Sequence, residues 1–121
     1  MERIVKSGVG WRLGWNPEAP EFQGLVGGDN WSIELSAGEL DDFCRLLHQL
    51  SKTISQMADK LMDEERIVCE AESDLLWMQL EGFPESYTVQ FILNQGRRGE
   101  GKWPVDAVPS LVEAAEMLKI F

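Results

Sequence analysis

From Ser36 to about Met62 the apolar positions Leu40, Phe43, Leu47, Leu50, Ile54, Met57 and Leu61 follow one another in steps of three and four. That spacing keeps seven side chains on one seam and predicts a long amphipathic helix. Asp41, Asp42, Arg45, His48, Gln49, Lys52, Gln56, Asp59 and Lys60 fall on its polar side, with Asp41 and Arg45 at the favourable four-residue spacing. Ser36-Ala37-Gly38-Glu39 reads as a capping box, in which the Ser oxygen and the Glu carboxylate each accept from an otherwise orphan amide.

On both sides of this helix the period changes to two. Ile4 and Val5 lead into a Ser7-Gly8 turn, after which Trp11, Leu13 and Trp15 share one strand face. Pro17-Glu18-Ala19-Pro20 makes a stiff connector, because each Pro fixes its own φ and extends the residue before it. Phe22 to Val26 predicts a short strand, Gly27-Gly28-Asp29-Asn30 a hairpin turn, and Trp31, Ile33 and Leu35 the next inward face.

After the helix, Ile67, Cys69 and Ala71 alternate with polar neighbours, and Leu76, Met78 and Leu80 do the same beyond a Ser73-Asp74 turn. Gly82-Phe83-Pro84-Glu85 turns the chain into a strand carrying Tyr87, Val89, Phe91 and Leu93 on one face. Gln95 to Lys102 reads as a Gly-rich loop, Trp103 to Val105 as a short last strand, and Pro109 as the first turn of a closing helix that ends near Lys119.

This order predicts one α+β domain of two antiparallel β-meanders, each followed by a helix, with pseudo-repeat halves of roughly 1–62 and 63–121. A shift of 72 residues sets Trp31 on Trp103, Ile33 on Val105, Glu34 on Asp106 and Leu40 on Val112. The seam from Leu40 to Leu61 runs about 32 Å at 1.5 Å per residue, whereas four strands span under about 20 Å. An overhanging seam needs a cover, either the closing helix or a second subunit, so a homodimer is expected.

Length and composition agree with a globular chain: 121 residues, 44% hydrophobic and 26% charged. No apolar run approaches the roughly 20 residues of a membrane span, and Met1 to Lys6 has no apolar core of a signal peptide, so a cytoplasmic protein is expected. Cys44 and Cys69 show no metal-site spacing and read as free thiols.

Charge alters the functional picture most. Twenty-one acids against 11 bases leave a net −10, and a uniformly negative surface repels phosphate. Nucleic-acid binding therefore needs a local basic patch. Arg97, Arg98 and Lys102, interleaved with Gly96, Gly99 and Gly101, are the one concentrated set, able to hold an anion or to form a solvated hairpin loop. Trp11 and Trp15 are either stacking platforms for unpaired bases or core residues. His48 has no nucleophile or second His arranged for it. Asp63, Glu64, Glu65, Glu70, Glu72 and Asp74 lack a calcium-loop pattern. No catalytic residue, metal or cofactor is expected.

The segment Gly14-Trp15-Asn16-Pro17-Glu18-Ala19-Pro20-Glu21-Phe22, followed by a Gly-rich hairpin, resembles the opening of plant Whirly single-stranded-DNA-binding proteins. The order of meander, helix, meander, helix is similar to the Whirly and transcriptional-coactivator fold. The whole chain also resembles a small cyanobacterial family of uncharacterised proteins. Where Whirly proteins carry a Lys-Gly-Lys motif that meets DNA, Gly8-Val9-Gly10-Trp11-Arg12 offers only Arg12, with Lys6 nearby. Two readings stand for a non-enzymatic binding or regulatory protein. One is single-stranded nucleic-acid binding through Arg12, Trp11 and Trp15, aided by Arg97, Arg98 and Lys102. The other is an acidic, aromatic-bearing surface that docks another protein after nucleic-acid binding is lost.

Overall fold

The computed structural model describes residues 3–60, 65–94 and 96–118. Among these, eight strands and two α-helices follow the order β1 (Ile4–Gly8), β2 (Trp11–Trp15), β3 (Gly24–Gly27), β4 (Ser32–Leu35), α1 (Ala37–Met57), β5 (Ile67–Glu72), β6 (Leu76–Phe83), β7 (Ser86–Leu93), β8 (Glu100–Trp103) and α2 (Val108–Met117). The strands form two four-stranded antiparallel meanders, β1-β2-β3-β4 (sheet A) and β5-β6-β7-β8 (sheet B). The α+β order of two meanders, each followed by a helix, is therefore present.

Alternation decides which sheet face is buried. Trp11, Leu13 and Trp15 of β2 and Val26 of β3 face inward on sheet A, and Leu76, Met78, Leu80, Val89 and Phe91 do so on sheet B. Between them lies α1, whose seam residues Leu40, Phe43, Leu47, Leu50 and Ile54 join both sheets and α2 in one continuous core. The capping box at its start is formed: Ser36 Oγ accepts from the Glu39 amide at 3.1 Å, and Glu39 Oε1 accepts from the Ser36 amide at 2.8 Å. On the polar side Arg45 pairs with Asp42 at 3.2 Å, one step from the expected Asp41.

The two sheets meet at Trp103. Its indole N–H donates to the Gly27 carbonyl at 2.9 Å, tying β8 to β3. Its ring stacks on Phe91 at 5.5 Å and meets Phe43 edge-on at 5.5 Å and Trp31 at 5.1 Å. Four aromatic rings thus link α1 to both sheets, each pair close enough to add to its area burial.

Several boundaries differ from the expectations, each for a local reason. β1 runs through Ser7-Gly8, and the turn is Val9-Gly10, with Gly10 supplying the positive φ of +83°. β3 begins at Gly24, not Phe22, and Trp31 lies in the turn before β4. β8 occupies the end of the Gly-rich stretch and stops at Trp103, so Val105 is outside it. Gly101 hides this strand from sequence reasoning: it is glycine because the Trp31 ring lies where a side chain would be.

The 72-residue shift places Trp31 and Trp103 at equivalent positions, yet the two rings pack against each other. The residues that close β4 and β8 are Leu35 and Trp103, an offset of 68. The overhanging seam is also revised. It is covered within the chain from Leu40 to Ile54, Met57 is half-buried, and Leu61 lies outside the described residues. Cover by a second subunit is not required along that length.

A Cβ built on Gly101 falls 2.3 Å from the Trp31 ring and 2.7 Å from that of Phe91. Gly101→Ala is expected to destabilise the fold by about 1–3 kcal/mol through overpacking, read from the urea midpoint, while Lys102→Ala on the exposed face of the same strand leaves it nearly unchanged.

Candidate functional site

Glu39 is the one charged side chain buried among the described residues, 5% exposed, and it is fully engaged. Besides the Ser36 amide it accepts from Arg97 Nε at 3.2 Å and Nη2 at 3.1 Å. Arg97 also donates to the Glu34 carbonyl and lies over the Phe22 ring, 4.3 Å from its centroid. A guanidinium suits this position because its planar fork can serve a carboxylate and a carbonyl together. The contact ties the β7–β8 loop to the start of α1 and the end of β4. Arg98 follows in the left-handed region with φ +56° and is exposed.

The other cations are placed elsewhere. Arg12 crosses the outer face of sheet A and donates to the Trp31 carbonyl at 3.0 Å, holding the β3–β4 turn. Lys102 lies on the outer face of sheet B and borders, with Gln90, Glu100 and half-buried Trp31, a cleft of about 350 Å³ at the β8 edge. Arg12 and Lys102 thus both border Trp31, one through its carbonyl and one beside its ring.

Register builds the rest of that outer face into rows. Glu72, Trp77, Ile92 and Glu100 pair in turn across the four strands of sheet B, and Glu70, Gln79, Gln90 and Lys102 form the next row. The opposite side of each strand is buried against the core, so among the described residues no helix covers this face. Trp77 and Ile92 are half-buried, Val68 and Phe83 exposed, and acids stand at both edges. Arg66 and Glu81 pair there at 3.0 Å. Apolar side chains framed by charges of mainly one sign suit a contact surface.

The DUF1818 family, described as a domain of unknown function, matches residues 6–118. The chain belongs to the DUF1818 family. A crystal structure of a protein of unknown function from Prochlorococcus sp. NATL2A, described as of the DUF155 family, is similar at 27% identity and a TM-score of 0.91, covering 97% of this chain and 98% of that one. The source of that neighbour agrees with the cyanobacterial resemblance; neither finding names a Whirly protein. No curated protein matches the chain.

In this DUF1818 chain the sequence-predicted site residues are dispersed. Trp11 and Trp15 are 5% and 9% exposed, their rings packed inward as core, so they present no stacking face to solvent. Arg97 is held by Glu39, Arg98 is exposed beside it, and Arg12 and Lys102 lie on different sheets. Trp31 and Trp77 are instead half-buried, the indoles among the described residues with partly open surfaces. A Trp on the polar side of an alternating strand was the available signal for Trp77. Among the described residues no three His, Cys, Asp or Glu side chains gather to hold a metal. Among the described residues no helix is long and apolar enough to cross a membrane.

Among the described residues two titratable groups are displaced. Burial, with Asp41 beside it, pushes the Cys44 thiol up from 9.0 to about 12. Burial, with Glu116 nearby, also raises the Tyr87 phenol. Both favour the protonated native form, so stability is fully present below the unfolded-chain values and falls as pH rises past 9.0 and toward the native values. The urea midpoint is expected to drop between about pH 8 and pH 10.5, less steeply in Cys44→Ala. Separately, Arg97→Ala leaves the buried Glu39 carboxylate short of its main partner and is expected to cost about 1–3 kcal/mol, mostly recovered in Arg97→Ala/Glu39→Gln when both variants are measured by urea denaturation.

Proposed function

We propose that this protein is a non-enzymatic docking module that takes a protein partner on the outer face of sheet B. The observation that carries the reading is the row Glu72, Trp77, Ile92 and Glu100 on an uncovered four-stranded face. An indole and an aliphatic side chain side by side supply apolar contact area, and the flanking carboxylates select a partner that sets Lys and Arg around an apolar centre. The half-open Trp31 cleft extends this face past β8. The Whirly-class relationship belongs to the same proposal. The order of two meanders and two helices supports it, together with the Pro17-to-Phe22 segment, and the change lies in the binding surface.

Single-stranded nucleic-acid binding has less support. The inward packing of Trp11 and Trp15, the engagement of Arg97 and the net charge of −10 all weigh against it. Tryptophan fluorescence separates the readings. A peptide alternating leucine and lysine is expected to quench Trp77 with salt-sensitive, micromolar affinity, weakened at least about tenfold by Glu72→Lys/Glu100→Lys, while an oligo-dT strand gives no change at low salt. Quenching by oligo-dT with no response to the peptide would overturn the docking reading in favour of nucleic acid.

A further inference from the structure

Sheet A has its own open edge at β1, and its hydrogen-bond phase follows from the register. The two-residue turn Val9-Gly10 makes Gly8 and Trp11 a hydrogen-bonded pair, so Lys6 and Ile4, two and four residues back, also bond inward to β2. The backbone N–H and C=O groups of Val5 and Ser7 therefore point away from β2, and among the described residues no other strand pairs with β1. Val5 is 58% exposed and Met117 of α2 60% exposed beside this edge.

Hollows lie on both sides of that edge. On the α2 side, Lys6, Trp11, Ser110, Glu113, Ala114 and Met117 line a groove of about 570 Å³, which also reaches Val5 and Ser7. On the outer face, a trough of about 320 Å³ starts at Arg3 and Val5 and crosses sheet A along the register row Gly14, Leu25 and Glu34. An added strand sends alternate side chains to opposite faces, so one extended segment would set one row in the α2 groove and the other beside Arg3 and Val5, while its backbone bonds to Val5 and Ser7.

We propose that the β1 edge receives an extended segment of another protein by strand addition, with apolar side chains facing α2 and acidic ones on the outer face beside Arg3. Charge selects this occupant. Arg3 and Lys6 have no ion-pair partner among the described residues, and they are the charges flanking and within β1. A second copy pairing edge to edge would gather Arg3 and Lys6 of both chains on one short ladder, like charges on like. The contact is separate from the acidic face of sheet B and of opposite sign.

The test uses the full chain and a peptide alternating leucine and glutamate, followed by NMR-resolved amide exchange. Binding is expected at micromolar concentration, with exchange at the Val5 and Ser7 amides slowed about tenfold or more. The same peptide N-methylated at alternate residues on its bonding edge is expected to bind at least about tenfold more weakly, a comparison that needs no variant protein. Ser7→Pro, which removes only an outward N–H, is expected to abolish the protection with the circular dichroism unchanged, and Lys6→Glu to weaken binding. Absence of binding at low salt, equal binding of the N-methylated peptide, or protection confined to sheet B would each overturn the proposal.

Discussion

The fold depends on a helix that must be buried from two directions at once. α1 carries an apolar stripe wide enough for both sheets, and neither sheet alone could cover it. Trp103 makes the two covers compatible. It belongs to the edge strand of sheet B, bonds to a carbonyl of sheet A, and fills the space above Phe43 of the helix. A smaller residue would leave a cavity where three elements converge, and a residue without the N–H would leave the Gly27 carbonyl without that donor.

The Glu39 and Arg97 contact locks the same junction from its rim. A carboxylate that caps its own helix would normally face water; here it is buried and must be paired. Arg97 satisfies it and, through the Glu34 carbonyl and Phe22, fixes the β7–β8 loop onto sheet A. The residue that looked most like an anion clamp is therefore a structural tie. Function must be sought on surfaces that this tie leaves open.

The helix and the strand alternation were legible in the sequence because burial on one side imposes a period, and α1 begins where the capping box marks it. What was not legible came from contacts between distant segments. Gly101 lowers strand propensity, so Glu100–Lys102 looks like loop in the sequence and only Trp103 carries the strand signal, whereas the Trp31 ring accounts for the glycine. The Arg97 partner, Glu39, is 58 residues away in the chain, and the spacing of charges within the Gly-rich stretch carries no trace of it. Composition could say that acids outnumber bases; it could not say that Arg3 and Lys6 gather at one sheet edge.

Separating these charges gives the molecule two surfaces with different physics. On sheet B the backbone is satisfied within the ladder, apart from its edges, so a partner there must use side chains: apolar contact over Trp77 and Ile92, with selectivity from the acids around them. On β1 the backbone is itself available, and the adjoining hollows choose among strands by shape and sign. A face recognises what is presented on a folded surface, whereas an edge recognises a segment able to become extended. Because the face is acidic and the edge basic, a single uniform polyion would be drawn to one and repelled by the other. Two partners of opposite charge, or one partner with an acidic tail and a basic folded surface, match this arrangement better than a nucleic acid does.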